Sequence, residues 1–99
     1  MIRVLDHVDR CYSNSDGDDV RSLIFEQFET GTKTTISFDG VDSVSSSFIN
    51  SAFIDLLDQY SFDYIRQNLS FIDSTKSINE LIKKRFSFEV NERNKLLNV

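Results

Sequence analysis

The sequence predicts a small α/β domain in which a mixed sheet of about four strands carries helices mainly on one face. Apolar residues recur with two-residue spacing in short runs and with helical spacing in longer ones, and the two patterns alternate along the chain. The strand at residues 33–39 alternates Ile36 and Phe38 with Thr35 and Ser37. We therefore expect Ile36 and Phe38 to face the helices, and Thr35 and Ser37 to lie on an uncovered polar face.

The first half of the chain reads as a strand, a helix and a second strand. Residues 2–8 alternate imperfectly and indicate a short first strand, and residues 11–19 form a polar loop that leads into a helix. Ser15 or Asp16 is the expected N-cap of this helix, since both types accept hydrogen bonds from free helix N–H groups. Gly31 follows the last helically spaced apolar residue, which is the usual position of a C-terminal glycine.

The most amphipathic stretch of the chain follows the second strand. Its apolar residues have helical spacing and are Phe48, Ile49, Ala52, Phe53, Leu56, Leu57 and Tyr60. This stripe predicts a helix that packs on the core, and we expect Phe53 and Leu56 to be almost fully buried.

The last third contains a short helical turn at residues 61–68, a strand at residues 69–73 and a final helix. Ser74 or Thr75 is expected to cap that helix. Residues 86–90 alternate with period two but also continue the helical spacing, so a longer helix and a fourth strand both remain open. One domain is expected to span residues 1–99, with a polar tail that frays from about residue 91.

Charge and cysteine usage narrow the classes of function. The chain has 99 residues and a formal net charge of −5, so we expect neither a nucleic-acid partner nor an anionic membrane surface. Cys11 is the only cysteine, which excludes an intrachain disulfide and favours a reducing, cytoplasmic location. The N-terminal residues lack the apolar core of a signal peptide, and no apolar run approaches the length of a membrane span.

Few residues are candidates for catalysis or for metal binding. The chain has a single histidine, His7, which with Cys11 gives no set of groups spaced for catalysis. The acidic run at residues 16–19 lacks the spacing of an EF-hand loop, and acids are expected at the start of a helix. Asp39 and Asp42 flank a turn, where a bound divalent ion is the alternative to an ordinary turn role. We therefore expect a non-enzymatic protein without cofactor or metal.

A serine tract is the most informative feature of the chain. Ser43 and Ser45 to Ser47 stand between the second strand and the amphipathic stripe, where a helix N-terminus is expected. One serine is enough to cap a helix, so the hydroxyl groups of the other serines in the tract are not needed for the cap. The sequence alone favours capping, and phosphorylation is the alternative because a helix N-terminus tolerates an anionic group.

The turn, the serine tract and the following helix resemble a known family. The matching motifs are Asp-Gly-Val at residues 39–41, Ser-Ser-Phe at residues 46–48, and Ala52-Phe53 one turn later, together with the acidic helix start at residues 18–21. They resemble the STAS-like domain of unknown function that occurs in bacteria, archaea and their mobile elements. The resemblance covers residues from about 15 to 86 and implies the fold of the anti-sigma factor antagonists.

That resemblance also implies a partner and a switch. Anti-sigma factor antagonists bind protein kinases of the histidine-kinase-type ATPase class, and phosphorylation of a serine or threonine where strand meets helix controls them. The matching residue here is Ser46, with Ser47 and Ser45 as further candidates. Ser45 and Phe48 stand where that family has aspartate and glycine.

We therefore expect a signalling or interaction module that binds a protein partner. The expected contact surface consists of Asp42, Ser45, Ser46, Asn50 and Ser51. The alternative is a static accessory scaffold of a mobile element or defence cluster, without a phosphoswitch.

Overall fold

Three short strands form a parallel sheet in the centre of the fold. The structure is a computed structural model that describes residues 1–97, and the side chains of residues 1–95. Strands β1 (Ile2–Arg3), β2 (Thr34–Ser37) and β3 (Leu69–Ile72) lie in the order β1-β2-β3. In the register of this sheet Ile2, Ile36 and Phe71 lie side by side. Within the described residues the sheet is thus parallel with three strands, where the sequence predicted a mixed sheet of about four.

The segment that the sequence offered as a fourth strand is part of a helix. Helix α4 (Lys76–Leu97) runs without a break through residues 86–90. Ile78, Ile82 and Phe86 are all buried and are spaced by one helical turn, whereas Phe88 is 54% exposed. In a strand, Phe86 and Phe88 would lie on the same face and be buried together. The burial of Phe86 without Phe88 follows the helical spacing instead. Residues 91–97 continue α4, and residues 98 and 99 lie outside the described residues; fraying of the tail from about residue 91 stays a prediction.

The first strand is shorter than predicted. It ends at Arg3, and a 3-10 helix over Val4–Asp6 follows it. The amides of His7 and Val8 both donate to the Val4 carbonyl oxygen, which closes this turn. Val4 is completely buried as a result.

Helix α1 (Asn14–Glu29) begins earlier than predicted. Ser13 is its N-cap and accepts a hydrogen bond from the Asp16 amide at 3.1 Å, so the prediction of Ser15 or Asp16 was wrong. At the other end Gly31 has a φ of 72°, and the amide of Thr32 donates to the Gln27 carbonyl oxygen at 3.0 Å. This is the glycine-terminated helix end that the sequence predicted.

The amphipathic stripe forms two elements instead of one helix. Helix α2 (Ser46–Ala52) is followed by a 3-10 helix over Ile54–Asp58. The tighter winding turns both Ile54 and Leu56 inward, and both are buried. Phe53 and Leu56 have no exposed surface, as the stripe predicted.

Hydroxyl groups cap the two remaining helices, and the cap of α4 is one of the two residues that the sequence predicted. Helix α3 (Phe62–Asn68) is capped by Ser61, which accepts from the Tyr64 amide at 3.1 Å. Thr75 Oγ1 accepts from the Ile78 amide at the start of α4. No helix in the described part of the chain has the length and the apolar character that crossing a bilayer demands.

The two faces of the sheet differ as predicted, with one exception. Ile36 and Phe38 are completely buried on the face that the helices cover. On the opposite face the hydroxyls of Thr35 and Ser70 lie 3.1 Å apart, and Ser70 is exposed. Ser37 shares this face but is only 2% exposed, and its hydroxyl donates to Asp73 Oδ2 at 2.8 Å.

Candidate functional site

A tight turn leads from β2 into the serine tract. The Val41 amide donates to the Phe38 carbonyl oxygen at 2.8 Å, and Gly40 between them has a φ of 82°. A side chain at Gly40 would be strained by this φ and would come within 3.0 Å of Leu5. The glycine therefore allows the chain to reverse directly over the N-terminal segment.

The acid of this turn is held by an arginine. Arg3 Nε lies 3.2 Å from Asp39 Oδ2, and Arg3 Nη1 lies 2.8 Å from Asp6 Oδ1. The hydrogen bonds from Arg3 to Asp6 and then to Asp39 raise the pKa of the guanidinium. No group of three or more His, Cys, Asp or Glu side chains arranged for a metal ion occurs among the described residues. Asp39 is thus an ion-pair partner of Arg3 at the turn, and Asp42 is exposed beside it.

Ser45 is the residue of the tract that caps α2. Its Oγ accepts a hydrogen bond from the Phe48 amide at 3.0 Å and donates to the Tyr12 carbonyl oxygen at 2.6 Å. Its amide donates to the Cys11 carbonyl oxygen at 3.0 Å. Because the hydroxyl of Ser45 serves both the helix and the preceding loop, it is the member of the tract whose modification would disturb the fold most.

Ser46 and Ser47 are exposed in the first turn of α2. Within residues 1–95 neither hydroxyl makes a hydrogen bond to another group of the chain. Neither is therefore required for the cap. Their phosphorylation stays a prediction.

Asn50 and Ser51 do not form an exposed face with Ser46. Ser51 is 6% exposed, its hydroxyl donates to Asn14 Oδ1 at 3.0 Å, and its carbonyl oxygen accepts from Arg21. Asn50 Oδ1 accepts from Arg85 Nε at 2.8 Å. The expectation that both residues lie on an open helix face was wrong, because α2 packs against α1 on one side and α4 on the other.

The structure adds a loop to the candidate site that the sequence did not indicate. A cleft of about 170 Å³ separates residues 9–12 from residues 40–43. Tyr12 is 51% exposed beside it, and its hydroxyl lies 2.8 Å from Ser43 Oγ. An exposed aromatic residue in a polar loop is the one signal that could have indicated Tyr12. We call the exposed residues Tyr12, Asp42, Ser43, Ser46 and Ser47 the turn surface.

Cys11 lies below the turn surface and is 1% exposed. Burial, with a smaller contribution from the charge of Asp16, raises the pKa of its thiol to about 11. A thiol with this pKa remains protonated at neutral pH and is a poor nucleophile. Cys11 therefore acts as a core residue.

The comparisons with known proteins agree with this fold. No curated protein and no solved structure matches the chain significantly. A family model described as a STAS-like domain of unknown function matches residues 16–79, about two thirds of the chain. The matched segment contains all of α1 but its first two residues, together with β2, the serine tract, α2, α3 and β3. The chain therefore belongs to the family of STAS-like domains of unknown function.

Proposed function

We propose that this chain is a non-enzymatic interaction module of the cytoplasm that binds a protein partner through the turn surface. The observation that carries the proposal is the pair of exposed hydroxyls at Ser46 and Ser47, which stand next to a cap that Ser45 already provides. Neither hydroxyl makes a hydrogen bond to another described group, and both lie in the first turn of α2. They are therefore available for contact with a partner.

The same two hydroxyls are the candidates for control by phosphorylation. A phosphate on Ser46 would meet the partial positive charge of the helix N-terminus, while the negative charge of Asp42 works against that gain. Because Ser46 is exposed, we expect the fold to tolerate the modification. The affinity for the partner should change much more, since a new charge then meets a surface fitted to a neutral hydroxyl.

A kinase of the histidine-kinase-type ATPase class is the partner that we propose, because related anti-sigma factor antagonists bind such kinases. An enzymatic role for the serines has less support. A nucleophilic serine needs a base within hydrogen-bond distance. No histidine, lysine or carboxylate makes such a bond to Ser46 or Ser47 in the part of the chain that the structure describes.

The test is a comparison of partner affinities. The chain is used to capture partners from its native host, the kinase is purified, and its affinity is measured for wild type, Ser46→Ala and Ser46→Asp. Ser77→Asp is the matched control, because Ser77 is an exposed serine in the first turn of α4. We expect Ser46→Asp to weaken binding by roughly tenfold or more and Ser77→Asp to leave it unchanged.

A static scaffold is the second candidate. The hydrogen bonds of Ser45, Asn50 and Ser51 favour it, because they join α2 to other parts of the fold. Equal affinities of wild type, Ser46→Ala and Ser46→Asp for the captured partner would support the scaffold and exclude the switch.

A further inference from the structure

An apolar groove runs beside the free edge of the sheet. Strand β3 pairs with β2 on one side, and no other described strand lies on its second side. Along that side, α3 and α4 leave a groove of about 430 Å³. The groove shares no residue with the turn surface.

Strand β3 directs unpaired backbone groups to this edge. The Phe38 amide donates to the Ile72 carbonyl oxygen, so the backbone of Ile72, and that of Ser70 two residues earlier, points to β2. The N–H and C=O of Phe71 must then point the opposite way. The Leu69 amide is already bonded to the Ile65 carbonyl oxygen. Phe71 is thus where an added strand would form its hydrogen bonds.

The walls of the groove are apolar. Leu69 and Phe71 come from β3, Ile65 from α3, and Ile82 and Phe86 from α4. Leu69 and Phe71 are two residues apart and lie on one face of the sheet. Every second side chain of a strand added beside Phe71 would point to that face, so a matching segment has apolar residues at alternate positions.

The rim of the groove is positively charged. Arg66 and Lys83 are the charged residues among the described side chains that line it, although the whole chain has a net charge of −5. Arg66 already pairs with Asp63 at 3.0 Å. Lys83 is exposed and makes no ion pair between described residues. A carboxylate on the bound segment would give Lys83 the ion-pair partner that it lacks among the described residues.

The same charges disfavour a second copy of this chain as the occupant. Two β3 edges paired about a twofold axis would bring Arg66 and Lys83 of both copies to one interface. Like charges across an interface are unfavourable.

We propose that this groove binds an extended segment of a partner protein, which adds to β3 as a fourth strand. The segment carries apolar side chains at alternate positions for the groove, and at least one aspartate or glutamate for Lys83. The carboxylate would set the register, and the backbone of Phe71 would supply the strand pairing.

The test starts from a displayed library of random linear peptides of about eight residues, a typical strand length, selected on the full chain. The strongest binder is synthesised with a fluorescent label and titrated against wild type, Lys83→Glu and Lys84→Glu. Lys84 is the control, since it is exposed on the same helix and does not line the groove. Thermal melts establish that each variant is folded.

We expect the selected peptides to share alternating apolar residues and an acid. Lys83→Glu should weaken binding at least roughly tenfold, Lys84→Glu should change it less than about twofold, and methylation of the peptide's backbone amides should abolish it. The proposal is overturned if no peptide is selected, if the peptides bind as helices, or if Lys83→Glu has no effect. A concentration-dependent dimer of the wild-type chain that Lys83→Glu strengthens would also overturn it in favour of a second copy.

Discussion

Gly17→Ala should destabilise the domain, although alanine is the better helix former. Gly17 lies inside α1 where this helix crosses α2, and a Cβ added there would stand 2.6 Å from Ser51 Cβ and 2.8 Å from the Phe48 carbonyl oxygen. Carbon atoms in contact normally lie about 3.5–4.0 Å apart. Phe48 and Ser51 are buried, so neither can move aside, and the two helices must separate by roughly 1 Å.

The size of the effect follows from two opposed contributions. Overpacking of a core costs about 1–3 kcal/mol, and the upper end applies because backbone atoms of α2 are among the obstacles. The higher helix propensity of alanine returns about 1 kcal/mol. The net loss is about 2 kcal/mol, which corresponds to a fall in Tm of about 8–16 °C for a domain of this size. Separation of the helices also lengthens the hydrogen bond between Ser51 and Asn14.

Thermal unfolding followed by circular dichroism measures this change. Ser15→Ala is the control, because Ser15 is exposed in the same helix, and its Tm should shift by less than about 4 °C. If Gly17→Ala melts at or above the wild-type temperature, the close approach of α1 and α2 at Gly17 is wrong and helix propensity alone governs the position.

Three further predictions concern the core, the thiol and the serine tract. Phe53→Ala should lower the free energy of unfolding by about 3–5 kcal/mol in denaturant titrations, since Phe53 is completely buried among three phenylalanine rings; a loss below about 1 kcal/mol would contradict the packing. The pKa of Cys11 rises from 9.0 to about 11 on folding, so stability should fall between those pH values more steeply in wild type than in Cys11→Ala; parallel curves would contradict the burial. Ser46→Asp should change the free energy of unfolding by about 1 kcal/mol or less, and a larger loss would show that Ser46 has a structural duty.

Local signals in the sequence predicted the local features of the fold. The alternation of Ile36 and Phe38 identified β2 and its buried face, and Gly31 identified the end of α1. A serine of the tract was expected to cap α2, and Ser74 or Thr75 to cap α4. The caps found, Ser45 and Thr75, accept hydrogen bonds from residues only three positions away. Features of this kind are determined within one turn of chain, which is why a single sequence contains enough information to predict them.

Two features of the candidate site that the sequence missed depend on residues far apart in the chain, whereas the missed Ser13 cap of α1 is local. Ser51 looked like an exposed helix residue because nothing near it in sequence indicates its bond to Asn14 or the approach of α1 at Gly17. Likewise, the pairing of Tyr12 with Ser43 joins two loops that are 31 positions apart. Compared with the expected contact surface, the turn surface therefore lacks Ser45, Asn50 and Ser51 and adds Tyr12, Ser43 and Ser47.

The proposed switch requires that the exposed hydroxyls beside the α2 cap control binding of a protein partner. It is tested by the dissociation constant of the proposed kinase partner, once purified, for wild type, Ser46→Asp and Ser77→Asp. Both substitutions place one negative charge in the first turn of a helix, but only Ser46 belongs to the turn surface. We expect Ser46→Asp to weaken binding by roughly tenfold or more, and Ser77→Asp to match wild type. Equal dissociation constants for all three proteins would contradict the proposed switch.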